Sequence, residues 1–200
     1  LGKIDLHLTG FKEAEIHKIL DKDTLESKGN REGKYQIEQG RCYILGAHRL
    51  MCGDSTLEET YIRLIPPKTD IHMVYTDPPY GVSYSGTNNE NGRDWNVIEG
   101  DKLRGDALYE LLSNAFKQVN QYLVKNGAVY VFHAALNQMV FEKALNSSGF
   151  KVVQQIIWNK RHCLSRAHYH WTHEPLFYCS RLNETPSFYG MRDNKTFLTE

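Results

Sequence analysis

Hydrophobic positions along this chain change their period several times, and each change marks an element. Phe11, Ile16, Ile19 and Leu20 share one helical face and predict a short amphipathic helix over residues 11–20. From Asp21 to Lys34 the pattern dissolves into charged residues around Gly29, Asn30 and Gly33, the composition of a linker or long loop. Two short apolar runs, Arg41 to Leu45 and Arg49 to Cys52, flank Gly46-Ala47-His48 and predict a hairpin leading into Gly53-Asp54-Ser55-Thr56. A helix is expected to start near Leu57. Beyond it, residues 71–76 form a nearly continuous apolar run that predicts a strand. Leu108, Leu111, Leu112, Ala115, Phe116, Val119, Tyr122 and Leu123 then follow helical spacing over residues 106–123, with Asn126-Gly127 as the stop signal. A short central strand over 128–132, a helix over 136–147 and strands over 150–158 and 175–179 follow. Strand and helix in alternation predict an α/β fold, with helices flanking a mostly parallel sheet.

Composition narrows this picture without naming a function. Two hundred residues, 40% of them apolar, suffice for one domain of ordinary size or a domain with a short appendage. The 24 basic residues balance the 24 acidic ones, so affinity for a polyanion must come from local patches rather than the overall field. Cys42, Cys52, Cys163 and Cys179 show no CxxC spacing and are read as unpaired thiols of a reducing cytoplasm. No apolar run approaches the roughly 18 residues of a membrane span. The chain begins at Leu1 rather than Met, and it is expected to be a piece of a longer protein.

The most specific signal follows the first core strand: Asp77-Pro78-Pro79-Tyr80. Ordinary residue usage would place this tetrapeptide in roughly one chain of this length in a thousand. Two consecutive prolines fix their own φ angles and push the preceding residue toward extended geometry, so the segment is a stiff bend carrying a carboxylate and an aromatic ring. In an open α/β sheet, ligands gather beyond the carboxyl ends of the strands, where Asp77 would lie. A simple turn that ends a strand is the competing reading.

The tetrapeptide resembles that of S-adenosylmethionine-dependent DNA methyltransferases that modify the exocyclic nitrogen of adenine, and less often of cytosine. The resemblance implies a division of labour. An exocyclic amine is a poor nucleophile because its lone pair is delocalised into the ring; two acceptors, the Asp77 carboxylate and the Pro78 carbonyl, would hold it in a localised form. Pro79 stiffens the frame, and Tyr80 offers a face for a base swung out of the duplex. Aspartate at the first position leans toward adenine N6, since cytosine-N4 enzymes more often begin with Ser.

The likeness extends along nearly the whole chain. Leu45 to Thr56, followed 21 residues on by the tetrapeptide, Ile156-Ile157-Trp158-Asn159-Lys160 and Tyr169 to Pro175 resemble a permuted branch carried by bacteria and phages, in which the methylase follows a ParB-like nuclease domain. Asp5 to Phe11 resembles the junction, so residues 1–34 are expected to be linker and residues 35–200 the catalytic half of a partial Rossmann-like methyltransferase domain. In that family the Gly-Asp pair lies near the adenosine of the cofactor, which would make Asp54, with Asp77, cofactor-binding. Asp54 serves equally well as a helix cap. Family members also carry a Phe-x-Gly-x-Gly cofactor loop. None of the 15 glycines here is spaced Gly-x-Gly, so the main S-adenosylmethionine loop is expected to lie outside this chain and the isolated fragment to be inactive.

Residues 151–173 carry Lys151, Lys160, Arg161 and Arg166 and four histidines without an acid. Lys160, Arg161 and Arg166 would meet DNA phosphates while Tyr169 or Trp171 meets a base or sugar; a solvated basic loop is the alternative. His162, Cys163, His168, His170, His173 and Cys179 match no zinc spacing, and no metal is expected. Residues 85–105, with four Gly and four Asn, predict a loop able to close over substrate. The expectation is therefore a cytoplasmic, site-specific DNA adenine-N6 methyltransferase with DNA as partner, no membrane association, and a homodimer as one assembly open to it. A cytosine-N4 enzyme, or a non-catalytic DNA-binding or assembly module, is the rival.

Overall fold

The structure, a computed structural model, describes residues 37–83, 98–160, 168–190 and 193–199. The chain divides between Glu38 and Gln39 into two units, and the architecture below belongs to the second. The helix expected over 11–20 and the linker over 21–34 lie outside the described residues.

A hairpin opens the unit. β1 (Cys42–Leu45) pairs antiparallel with β2 (His48–Met51), and helix α1 (Glu58–Leu64) follows. The main sheet has five strands in the order β3 (Ile71–Thr76), β4 (Leu123–Phe132), β6 (His173–Arg181), β5 (Phe150–Asn159), β7 (Phe197–Thr199). Helix α2 (Gly105–Tyr122) joins β3 to β4, which run parallel as a βαβ connection requires. A 3₁₀ turn (Ala135–Asn137) and helix α3 (Gln138–Ser147) lead from β4 to β5.

The fold class is α/β as expected, but the sheet is mixed rather than mostly parallel. β6 is antiparallel to both β4 and β5, and only β3 with β4 and β5 with β7 are parallel. β5 and β6 are consecutive in the chain and adjacent in the sheet, an arrangement in which antiparallel pairing needs no crossover helix. Regular pairing of β4 with β3 begins at Ala128, the residue where apolar patterning placed the strand. Leu123–Gly127 form an irregular lead-in, with Asn126 at a φ of 60°.

Helical spacing explains the core. Leu108, Leu112, Phe116 and Val119 of α2 and Phe141, Ala144 and Leu145 of α3 are buried against Val129 and Val131 of β4, Phe150 of β5, and Phe177 and Cys179 of β6. The strand period of two sends the intervening side chains to the other face. There Met73, Tyr75, Tyr130, Phe132, Ile156, Trp158, Leu176 and Leu198 line a shallow apolar cavity of about 470 Å³. Met73 and Tyr75 remain 58% and 61% exposed.

Arg181 ties β6 to the end of α2. Its guanidinium donates to Asn120 Oδ1 at 2.6 Å, to Val124 O at 3.2 Å, and to the carbonyls of Asn120 and Leu123. These carbonyls belong to the helix end, where backbone acceptors lack intrahelical donors and a cation is favoured. Gly149, at a φ of 87°, closes the turn after α3; a Cβ there would stand 2.6 Å from Asn120 Nδ2.

Candidate active site

β3 ends at Thr76, and Asp77 follows it directly, at the carboxyl end of the parallel pair β3–β4. The Asp77 side chain is exposed. It opens on a cavity of about 340 Å³ whose walls are Asp77, Pro78, Pro79, Tyr80, Val82, Ile98, Asp101 and Glu174. All four residues of the bend therefore share one cavity.

Tyr80 is half-buried, its ring edge-on to Phe141 with centroids 6.4 Å apart. Burial first, and then the Asp77 carboxylate beside its hydroxyl and the negative charge of Glu174, push the phenol well above its ordinary range, so it stays protonated. Glu174 brings a second carboxylate into the cavity from the start of β6.

The backbone after Tyr80 turns sharply. Gly81 has a φ of 69°, and a Cβ there would fall 2.7 Å from Leu108 Cδ2 and 2.8 Å from the Leu103 carbonyl, so only glycine fits. Asp101, 2% exposed, accepts from Gly81 N at 2.8 Å and Val82 N at 3.3 Å through Oδ1. Asn137, ahead of α3, donates from Nδ2 to Tyr80 O at 2.6 Å and Gly81 O at 3.3 Å. The sequence pattern places Asp101 in the expected substrate loop and gives Asn137 and Glu174 no individual role. The short-range signals were thin: an aspartate after a glycine, an asparagine ahead of a helix.

Asp54 stands elsewhere. Its Oδ1 accepts from Thr56 N at 2.8 Å and Thr56 Oγ1 at 2.7 Å, and these bonds hold the carboxyl below its ordinary value. It lines a separate cavity of about 150 Å³ with Gly40, Met51, Leu57 and Arg63. Asp54 thus organises the approach to α1 through a local turn and is not brought to the wall of the Asp77 cavity.

Of the basic segment, Arg161 and Arg166 lie outside the described residues, as do His162 and Cys163. Lys160 forms an ion pair with Glu174 and lies over the Trp158 ring, 5.1 Å from its centroid. Tyr169 is 89% exposed and Trp171 44%. Residues 84–97, most of the expected substrate loop, are also outside the described residues. Among the described residues no three His, Cys, Asp or Glu side chains converge as metal ligands, and no helix is long and apolar enough to cross a membrane.

Comparison with known proteins identifies the family. Residues 71–197 match the N6_N4_Mtase family, described as DNA methylase. The type II methyltransferase M2.DpnII of Streptococcus pneumoniae is 30% identical over 91 residues, 44% of this chain and 34% of that protein. M2.MboI of Moraxella bovis is 27% identical over 93 residues, 45% of this chain and again 34% of the relative. These matches thus span about a third of the length of the curated relatives. Among solved structures, the cytosine-N4-specific PvuII DNA methyltransferase is similar over 69% of this chain and 54% of its own, with a TM-score of 0.49 and 15% identity. The M1.HpyAVI–SAM complex is similar over 63% and 52%, with a TM-score of 0.42 and 16% identity. The family match takes in β3, the bend after it, β4, β5 and β6, well over half of the chain, and on that ground the chain belongs to the DNA methylase family.

Proposed function

We propose that the protein containing this chain transfers a methyl group from S-adenosylmethionine to the exocyclic N6 of adenine in DNA. The observation that carries this reading is the exposed Asp77 carboxylate at the mouth of the Asp-Pro-Pro-Tyr cavity, at the carboxyl end of a parallel strand pair. A cavity of about 340 Å³ is in the range of small-ligand sites, large enough for a nucleobase edge.

In this reading the Asp77 carboxylate accepts one amino hydrogen and the Pro78 carbonyl the other. Electron density would then concentrate on nitrogen as the N–C bond forms and the methyl–sulfur bond breaks, the electron pair leaving with the neutral thioether. The charge of Asp77 offsets the positive charge on nitrogen until the amino proton is lost to solvent. Prolines at 78 and 79 keep both acceptors from relaxing. Tyr80, held neutral by burial and by the neighbouring Asp77 carboxylate, presents its ring to a flipped base without adding charge.

The wall chemistry fits one part of the cofactor. Carboxylates at Asp77 and Glu174 with proline and valine faces suit a cationic sulfonium. S-adenosylmethionine, when bound, supplies an activated methyl group on that sulfonium. Asp77 and Glu174 would face it here, and Asp54 is proposed to accept from its adenosine half. DNA backbone contacts are assigned to Lys160, Arg161, Arg166 and Tyr169. Lys160 makes its contact by exchanging Glu174 for a phosphate.

The test is Asp77→Ala in the full-length protein with duplex DNA and cofactor. Methyl transfer is expected to fall by about 100-fold or more, while duplex affinity stays within about threefold. Transfer at the parental rate would remove Asp77 from the chemistry. A second reading, a DNA-binding or assembly module without catalysis, is favoured by one observation: Asp54 and Asp77 line different cavities. Titration calorimetry of the full-length protein with cofactor separates the two, since tight binding counts against the module and its absence counts against transfer.

A further inference from the structure

We propose that Asp101 and Asn137 are positioning residues for the transfer step, a clamp that sets where the Asp77 carboxylate and the Pro78 carbonyl stand. The inference rests on the amino-methylation reading above. Prolines at 78 and 79 restrict their own φ angles but leave ψ and the Tyr80-Gly81 backbone free to turn. The clamp acts on that remaining freedom. Gly81 is gripped at both ends, its N–H by Asp101 Oδ1 at 2.8 Å and its carbonyl by Asn137 Nδ2 at 3.3 Å. The preceding carbonyl, Tyr80 O, receives the shorter Asn137 bond of 2.6 Å, and the following N–H, Val82 N, is directed at Asp101.

Asp101 is itself held. Its backbone carbonyl accepts from Ser83 N at 2.9 Å and from Arg104 Nη1 at 2.9 Å, and Arg104 Nη2 reaches Ser83 Oγ at 2.8 Å. The two partners come from different places: Asp101 from the approach to α2, and Asn137 from the turn before α3. A strand end needing only to be tied down could use a neutral acceptor at the surface. A carboxylate 2% exposed is a costly choice unless fixed geometry is what it secures. Both side chains act on the backbone beside the reacting cavity, and Asp101 forms part of its wall.

Single-turnover methyl transfer by the full-length protein, with saturating cofactor and duplex, tests the clamp. Asn137→Ala is expected to lower the rate constant about 10- to 100-fold while the amplitude and the affinity for duplex stay within about threefold. Asp101→Asn, which keeps an acceptor oxygen, should recover most of the rate lost in Asp101→Ala. A purely structural role would instead cut the amplitude, the fraction of competent enzyme, and leave the rate constant alone; that result overturns the proposal. So would parental rate constants in both Asn137→Ala and Asp101→Ala. If Asp101→Ala or Asn137→Ala does not fold, Asp101→Ser and Asn137→Ser are read in their place by the same two quantities. Asp77→Ala run in parallel distinguishes the two levels: an inactive Asp77→Ala beside fully active clamp variants sinks the clamp alone, whereas an active Asp77→Ala sinks the reaction on which it rests.

Discussion

At the scale of single residues, burial decides which groups can titrate. His133 follows β4 with no exposed surface, its ring stacked on Phe177 at 4.0 Å between centroids. Desolvation lowers its pKa from the ordinary 6.5, outweighing the opposing hydrogen bond to Ala134 O. The fold therefore holds the neutral imidazole, and the unfolded chain takes up a proton first as pH drops. The stability that this contributes is complete above about pH 6.5 and declines as pH falls from there toward the lower folded value. Melting temperatures from pH 7.5 to 5 should fall more steeply for the parent than for His133→Asn; equal slopes would mean that the imidazole titrates normally. Cys179 is the mirror case. Burial pushes its thiol up to about 12, which leaves it an inert thiol of the core.

Elements were legible where one period covers one burial face. α2 carries Leu108, Leu112 and Phe116 four residues apart, and all three are buried. Leu112→Ala should cost about 2–5 kcal/mol in urea unfolding of the chain, and the exposed Asn114→Ala close to nothing. A small loss at Leu112 would mean that the core collapses around the missing side chain. β3 and the bend after it were equally readable, since a run of strand formers ending in two prolines has few other uses. The direction of β6 was not. Apolar content tells which side chains are buried, not which way the strand runs, and antiparallel pairing was settled by a connection whose residues carry no strong signal. Nor could periodicity reveal the Asp101–Gly81 and Asn137–Tyr80 bonds, which join positions 20 and 57 residues apart through backbone atoms common to every residue. Lys160 shows the same limit: a basic segment without acids met its partner, Glu174, one strand away.

For the whole molecule, the two faces of the sheet differ in kind. One is covered by α2 and α3. The other exposes Met73 and Tyr75 beside the hollow formed with Tyr130, Phe132, Ile156 and Trp158. Contiguous apolar surface of this sort takes up hydrophobic probes. The isolated chain should therefore enhance the fluorescence of an anilinonaphthalene dye, and a Met73→Lys, Tyr75→Glu double variant should lose most of that signal without losing helical circular dichroism. An unchanged signal would place the dye elsewhere.

The central place of β6 also carries a consequence for how the protein is made. β3, α2 and β4 can assemble locally as they leave the ribosome, and β5 follows soon after, yet β4 and β5 are bridged only through a strand ending at Arg181. Until that strand emerges, each of them presents an unsatisfied edge that invites pairing with other nascent chains. Slower synthesis across residues 160–181 is therefore expected to lower the share of chains that reaches the native state.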